Sequence, residues 1–164
     1  WVTEWHCDVP IWFRRLSKVL INGSVLVVDY ALESKRYYNP MRNDGTLISY
    51  RNQKANMNIL KDAGFCDLTA HLCIESTIYS AGSNGWDFMG ETRQGQALLA
   101  LGLSRFLYSL QNTTSNDLSV ALDRRESLLR LVDPMGLGEF RWLAFQKDNN
   151  NDLILRNRFL EDPI

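Results

Sequence analysis

The chain has 164 residues, of which 45% are hydrophobic, 23% charged and 11% aromatic, and its formal net charge is −1. That length holds one domain or a large piece of one, and the apolar share supplies a core, so wholesale disorder is excluded. A near-neutral chain has no global basic field for nucleic acid or an anionic membrane, and no apolar run nears the ~18 residues of a membrane helix.

No nucleic-acid partner and no membrane insertion are therefore expected. Cys7, Cys66 and Cys73 form an odd set, which argues against a disulfide framework and for a reducing, cytoplasmic setting. The first residue is Trp1 rather than Met, and no signal-peptide pattern follows, so a segment of a longer protein is expected.

Asp8 and Pro10 predict a helix start and Asn22-Gly23 a helix end, with Trp12, Leu16, Val19 and Leu20 at helical spacing between them. Val25-Leu26-Val27-Val28-Asp29-Tyr30 then reads as a strand buried on both faces, because it is apolar without alternation. Helix, glycine turn and buried strand make half of a crossover unit, so the expected fold class is α/β. From Ala31 to about Gly64 the pattern dissolves into irregular turns, a length of loop that is functional or disordered. A short helix runs through Ile74, Ile78 and Ala81 to Gly82 and Gly85. Trp86 to Glu91 reads as a second strand, and Thr92 as the cap of a helix that Gly102 breaks and Ser104 restarts. After the polar stretch Asn112 to Asn116, a helix from about Asp117 ends at Asp133-Pro134. Phe140 to Phe145 is the last predicted strand, and Asp148 onward a frayed tail, polar and then briefly apolar at Leu153 to Leu155. No repeat, low-complexity segment or domain boundary is visible.

Two polar constellations stand out. Asp29 and Tyr30 close the buried strand, where open α/β sheets place their ligands; alternatively Asp29 satisfies loop N–H groups and Tyr30 packs. Asp67, Thr69 and His71 cluster after the long loop, as site residues or as turn, cap and surface residues. Arg93-Gln94 opens a helix, where Gln94 can reach a ligand or be solvated. Cys66, His71 and Cys73, with His6 and Cys7 upstream, lack the tight pairing that structural zinc needs, so no metal site is expected. No glycine-rich phosphate loop, nucleophile elbow or metalloprotease motif is present.

Taken in order, five segments resemble the MidA-like S-adenosylmethionine-dependent methyltransferases, which include the mitochondrial complex I assembly methyltransferase. They are Gly23 to Tyr30, Gly45-Thr46-Leu47 with Tyr50 and Arg51, Asp67 to His71, Thr92 and Gln94 leading into Leu98 to Gly102, and Met135-Gly136 before Phe140. Leu122 to Glu126 through Pro134 to Gly138 is similar to a cyanobacterial branch. Ala31 stands where the family usually has glycine, and the family's glycine-rich cofactor loop is absent from this sequence.

The resemblance implies that residues 1–147 are the C-terminal half of a Rossmann-like class I methyltransferase sheet, followed by a tail at 148–164. Strands five, six and seven would be Ser24 to Tyr30, near Trp86 to Glu91, and an antiparallel Glu139 to Gln146. The intact protein would use S-adenosyl-L-methionine, while this segment contributes no cofactor-binding residue and alone binds none. The implied acceptor is an arginine of a protein substrate, a respiratory-complex subunit. Asp29 and Asp67 are the expected catalytic carboxylates, with Tyr30, Tyr50, Arg51, Thr69, His71 and Gln94 as substrate-binding residues. The unpaired edge of Val25 to Val28 is expected to be covered by a second copy, as a homo-oligomer, by the missing half, or by local disorder. The alternative function is a noncatalytic scaffold or assembly-binding module that keeps the sheet without the cofactor loop.

Overall fold

A computed structural model of the chain describes residues 1–110, 118–148 and 158–162. The structure is mixed α/β, and it divides into two compact units: Trp1–Leu20 with Asp29–Trp86, and Ile21–Val28 with Asp87–Ile164. The segments of the two units interleave along the chain, so no linker-like composition marks the division.

In the first unit, helix α1 (Asp8–Val19) starts with an acid in its first turn and ends with Lys18, each matching the helix dipole. Pro10 is tolerated there because first-turn N–H groups have no partner within the helix. The buried ring of Phe13 lies 6.4 Å from that of Trp86. The Trp86 indole N–H donates to Ser17 Oγ, which donates in turn to the Asn84 carbonyl, both at 2.7 Å. This chain of donors fixes α1 against the end of α3 (Ile74–Gly82). Strands β2 (Ala31–Leu32) and β6 (Leu72–Cys73) pair in parallel, and Leu32, Cys73 and Tyr37 of the short helix α2 (Ser34–Tyr37) form a small core.

The stretch read as irregular from Ala31 to Gly64 contains more than loop. Strands β3 (Ile48–Arg51), β4 (Lys54–Asn56) and β5 (Asp67–Thr69) form an antiparallel sheet in the order β4-β3-β5. Its hairpin turns on Asn52 and Gln53, with φ of 49° and 62°. Two successive positive φ values match the twist of the strands, and glycine is the usual signal for them. Here no glycine marks the turn, so the sequence pattern hides it.

The second unit is a three-stranded sheet in the order β1-β8-β7, from β1 (Gly23–Asp29, whose last residue belongs to the first unit), β8 (Arg141–Lys147) and β7 (Asp87–Arg93). Strands β7 and β8 are antiparallel, with one slip in register between Phe88 and Gly90. Leu143, Ala144 and Phe145 of the central strand are buried, as are Ala97 and Ala100 of α4 (Gln94–Ala100). Gly102, at φ +93°, separates α4 from α5 (Leu103–Ser109). Helix α6 (Leu118–Val132) stops before Asp133-Pro134 as expected. Arg141, almost fully buried, pairs with Glu91 through Nε at 3.0 Å and Nη2 at 3.2 Å.

Three expectations need correction. Strand β1 is not buried on both faces: exposure alternates along it, with Leu26 at 45% and Val28 at 42%. It lies at the end of the described sheet, so one of its edges has no strand partner among the described residues. Thr92 is no helix cap; it pairs with Trp142 in the sheet, and α4 begins at Gln94 without a side-chain cap. The tail is not frayed throughout, because Arg158–Leu160 forms a 3-10 turn whose Phe159 ring packs edge-on against Trp142 at 5.6 Å. Residues 112–116 and 153–155 lie outside the described residues. Among the described residues, no helix is long and apolar enough to cross a membrane.

The buried Gly138 sits where a Cβ would come within 2.5 Å of the Val132 carbonyl oxygen and 2.6 Å of that of Asp133. Backbone atoms cannot swing aside as a side chain can. Gly138→Ala is expected to destabilise the protein by about 1–3 kcal/mol, read as a lowered midpoint in thermal unfolding.

Candidate active site

The first unit contains a cavity of about 540 Å³. Five sequence-predicted residues line it: Tyr30, Tyr50, Asp67, Thr69 and His71. Tyr50 and Asp67 arrive together because they are register partners across β3 and β5. Tyr30 follows β1, and its ring lies 5.8 Å from the His71 imidazole. Two further lining residues, Arg42 and Thr46, were not singled out as site residues from the sequence.

His71 is held by its backbone. Its N–H donates to Thr46 Oγ1 at 2.9 Å, and its carbonyl oxygen lies 2.8 Å from His6 Nε2. A carbonyl only accepts, so His6 must carry its proton on Nε2. Thr46 is held in turn by Glu4, whose Oε1 accepts from the N–H groups of Thr46 and Leu47, both at 2.8 Å. Glu4 Oε2 accepts the Thr46 hydroxyl at 2.9 Å and the buried Tyr37 hydroxyl at 3.3 Å. The Tyr37 oxygen also lies 3.2 Å from His6 Nε2 and shares that N–H. Gly45 is required beside this carboxylate: its φ is +77°, and a Cβ there would collide with Glu4.

The electrostatics follow from this network. Burial pushes the Glu4 pKa up, but the hydrogen bonds from Leu47 and Thr46 outweigh it and leave it below the usual carboxylate value. Tyr37 is raised to about 12, first by burial and then by the Glu4 charge beside it. Burial and the nearby Arg42 guanidinium lower the His71 pKa against the weaker pull of Asp29 and Glu4. His71 Nδ1 is buried with no hydrogen-bond partner among the described residues, so protonating both ring nitrogens would strand an N–H there.

The remaining predicted residues are placed differently. Asp29 Oδ1 accepts the N–H of Tyr30 at 2.7 Å, so it does satisfy a loop donor, yet it stays near enough to act on His71. Arg51 does not line the cavity; it pairs with Asp62 at 2.9 Å and lies over the Phe65 ring. Gln94 belongs to the second unit. There its amide donates to the Leu131 and Leu137 carbonyls at 3.0 Å, and its oxygen accepts from the Trp142 indole at 3.3 Å. Among the described residues, no group of three or more His, Cys, Asp or Glu side chains could hold a metal ion.

Residues 1–92, which contain the whole first unit, match the model of a family described as "putative S-adenosyl-L-methionine-dependent methyltransferase". The chain belongs to this family. No curated protein matches it. Among solved structures, the chain is similar to a superfamily member and "likely methyl transferase" from Burkholderia thailandensis bound to S-adenosyl-homocysteine. That match has a TM-score of 0.82 at 24% identity and covers 99% of this chain and 41% of that one. A native crystal structure of an uncharacterized protein of the same superfamily and species gives the same TM-score and identity, with 42% of its chain covered. The chain thus spans about two fifths of the length of these structures, and at this identity the likeness shows the fold.

Two outcomes test the network. Glu4→Ala leaves three donors of the Thr46–Leu47 segment without their acceptor. It is expected to lower stability by about 1–3 kcal/mol, toward the low end because water reaches part of the network. Because the folded protein holds His71 below the ordinary imidazole pKa of 6.5, the unfolded chain takes up a proton first as the pH falls. The His71 contribution to stability is therefore intact above that value and declines as the pH drops toward the folded-state pKa. Denaturant titrations across this range are expected to show the decline in the native protein and its loss in His71→Asn.

Proposed function

We propose that the first unit forms the methyl-acceptor side of an S-adenosylmethionine-dependent methyltransferase, and that the acceptor is an arginine side chain of a protein. The observation that carries this reading is the convergence of Tyr30, Tyr50, Asp67, Thr69 and His71 on one cavity inside the residues matched by the family model. A guanidinium keeps its charge below a pH of about 12 and pairs with carboxylates through a planar fork. Asp67 at the cavity and Asp29 beside it supply such carboxylates, and both tyrosines add ring faces and hydroxyls. His71, kept neutral with its buried Nδ1 unprotonated, carries its N–H on Nε2 and can donate it to a ligand.

When bound, S-adenosylmethionine supplies a methyl group activated on a sulfonium. The cavity does not fit this molecule whole. A ribose diol calls for a held carboxylate, and the one acid lining the cavity, Asp67, lies exposed on β5. Nucleoside recognition is accordingly assigned to residues elsewhere, and this chain alone is expected to bind the cofactor poorly. The strand order β1-β8-β7, with β8 antiparallel to β7, supports reading residues 1–147 as the C-terminal part of a Rossmann-like sheet, its strands five, seven and six. A respiratory-complex subunit as substrate rests on the MidA-like resemblance, and a cytoplasmic setting on three free cysteines.

In the whole protein, Asp29→Asn and Asp67→Asn are each expected to lower arginine methylation by about 10- to 100-fold, the kinetic equivalent of one charge-assisted hydrogen bond. Affinity for S-adenosylhomocysteine, measured by calorimetry, should stay unchanged. Wild-type rates in both variants, or a methylated residue other than arginine, would sink the assignment.

A further inference from the structure

We propose that the cavity of the first unit binds a carboxylate on Arg42, so that its ligand carries an anionic group close to the group that Asp67 receives. This deepens the acceptor reading and rests on it for the ligand's identity. Carboxylate binding itself does not depend on it.

Arg42 is delivered from a fixed backbone. Its N–H donates to the Asn39 carbonyl at 2.8 Å, and its own carbonyl accepts the Trp1 indole N–H at 3.1 Å. The next residue is pinned too, since the Asn43 carbonyl accepts the Val2 N–H at 2.8 Å. From that backbone the Arg42 side chain lines the cavity beside Asp67 and His71. Its Nε is cut off from water and has no hydrogen-bond partner among the described residues. Four other arginines are treated differently. Arg51, Arg93, Arg130 and Arg141 each pair with a carboxylate, at 2.9, 3.2, 2.6 and 3.0 Å.

A guanidinium held partly away from water, with no ion pair among the described residues, is a costly arrangement, and an anion docked on its remaining N–H groups relieves it. The anion is a carboxylate rather than a phosphate, because Asp67 and nearby Asp29 repel a dianion more strongly than a monoanion. An arginine acceptor sharpens the need. It brings a second guanidinium into a cavity that already holds one, and a carboxylate between them offsets the repulsion. Two sources share this chemistry: an acidic side chain flanking the acceptor arginine, and the amino-acid carboxylate of S-adenosylmethionine.

The test is an NMR titration of the whole protein with ¹⁵N-labelled arginine, following the Arg42 Nε–H signal identified by its loss in Arg42→Lys. Sodium acetate is expected to move this signal saturably, while sodium chloride at equal ionic strength does not. A shift with S-adenosylhomocysteine that its decarboxylated counterpart fails to reproduce identifies the cofactor as source. A shift with a peptide carrying arginine and glutamate, lost when glutamine replaces glutamate, identifies the protein substrate. Arg42→Gln should weaken the effective ligand about tenfold or more, with its melting curve checking that it folds. An acetate response no larger than that of chloride overturns the proposal. Methylation of some other residue type would sink the acceptor reading and leave the acetate titration standing.

Discussion

The Glu4 carboxylate is the contact on which the first unit's site depends. One ionised side chain accepts two backbone N–H groups and a hydroxyl from Thr46 and Leu47, together with the hydroxyl of buried Tyr37. Such charge-assisted bonds are roughly twice as strong as neutral ones, and here they act on a loop with little regular structure of its own. The grip is then passed on. Thr46 Oγ1, already donating to Glu4, accepts the His71 N–H, while His6 takes the carbonyl on the other side of the same residue. A ligand-facing imidazole is thereby positioned from both of its peptide groups by segments 25 and 65 residues distant in sequence.

The same contact explains what was legible in the sequence. Helix α1 and the strand after it announce themselves by periodicity, an acid at the start, an asparagine-glycine end and an apolar run, all of which are local signals. Asp67, Thr69 and His71 stand out because three polar residues crowd into five positions. Glu4 and Arg42 give no such signal, since their roles come from contacts made across some forty residues and from burial, neither of which has a period. The hairpin was hidden for a different reason: Asn52 and Gln53 adopt positive φ without glycine. The alternating burial of β1 was hidden because a run such as Val25 to Val28 reads the same whether its faces are covered or open.

In the second unit the polar residues serve the fold. Gln94 bridges the carbonyls of Leu131 and Leu137 and receives the Trp142 indole, joining the start of α4 to the end of α6 and to β8. Arg141 is ion-paired with Glu91 on the neighbouring strand. These groups resemble site residues by type, yet their polar atoms meet partners contributed by their own unit. A buried polar group paired inside its own unit specifies a packing arrangement and leaves little capacity for a ligand.

That contrast gives the cavity its meaning. Here the Arg42 and His71 side chains each keep a buried nitrogen without a hydrogen-bond partner among the described residues, and Asp67 lies exposed. The two cation-capable groups also constrain each other: with Arg42 nearby, a charged His71 would add a second positive charge in partly dry surroundings, so the imidazole stays neutral. The cavity thus presents one guanidinium, one carboxyl group and one neutral imidazole. A ligand bearing both signs would meet the guanidinium and the carboxyl group each with its complement. The geometry that fixes His71 thus also selects for charge pattern, because the loop gripped by Glu4 carries Thr46 into the same cavity that Arg42 enters four residues earlier.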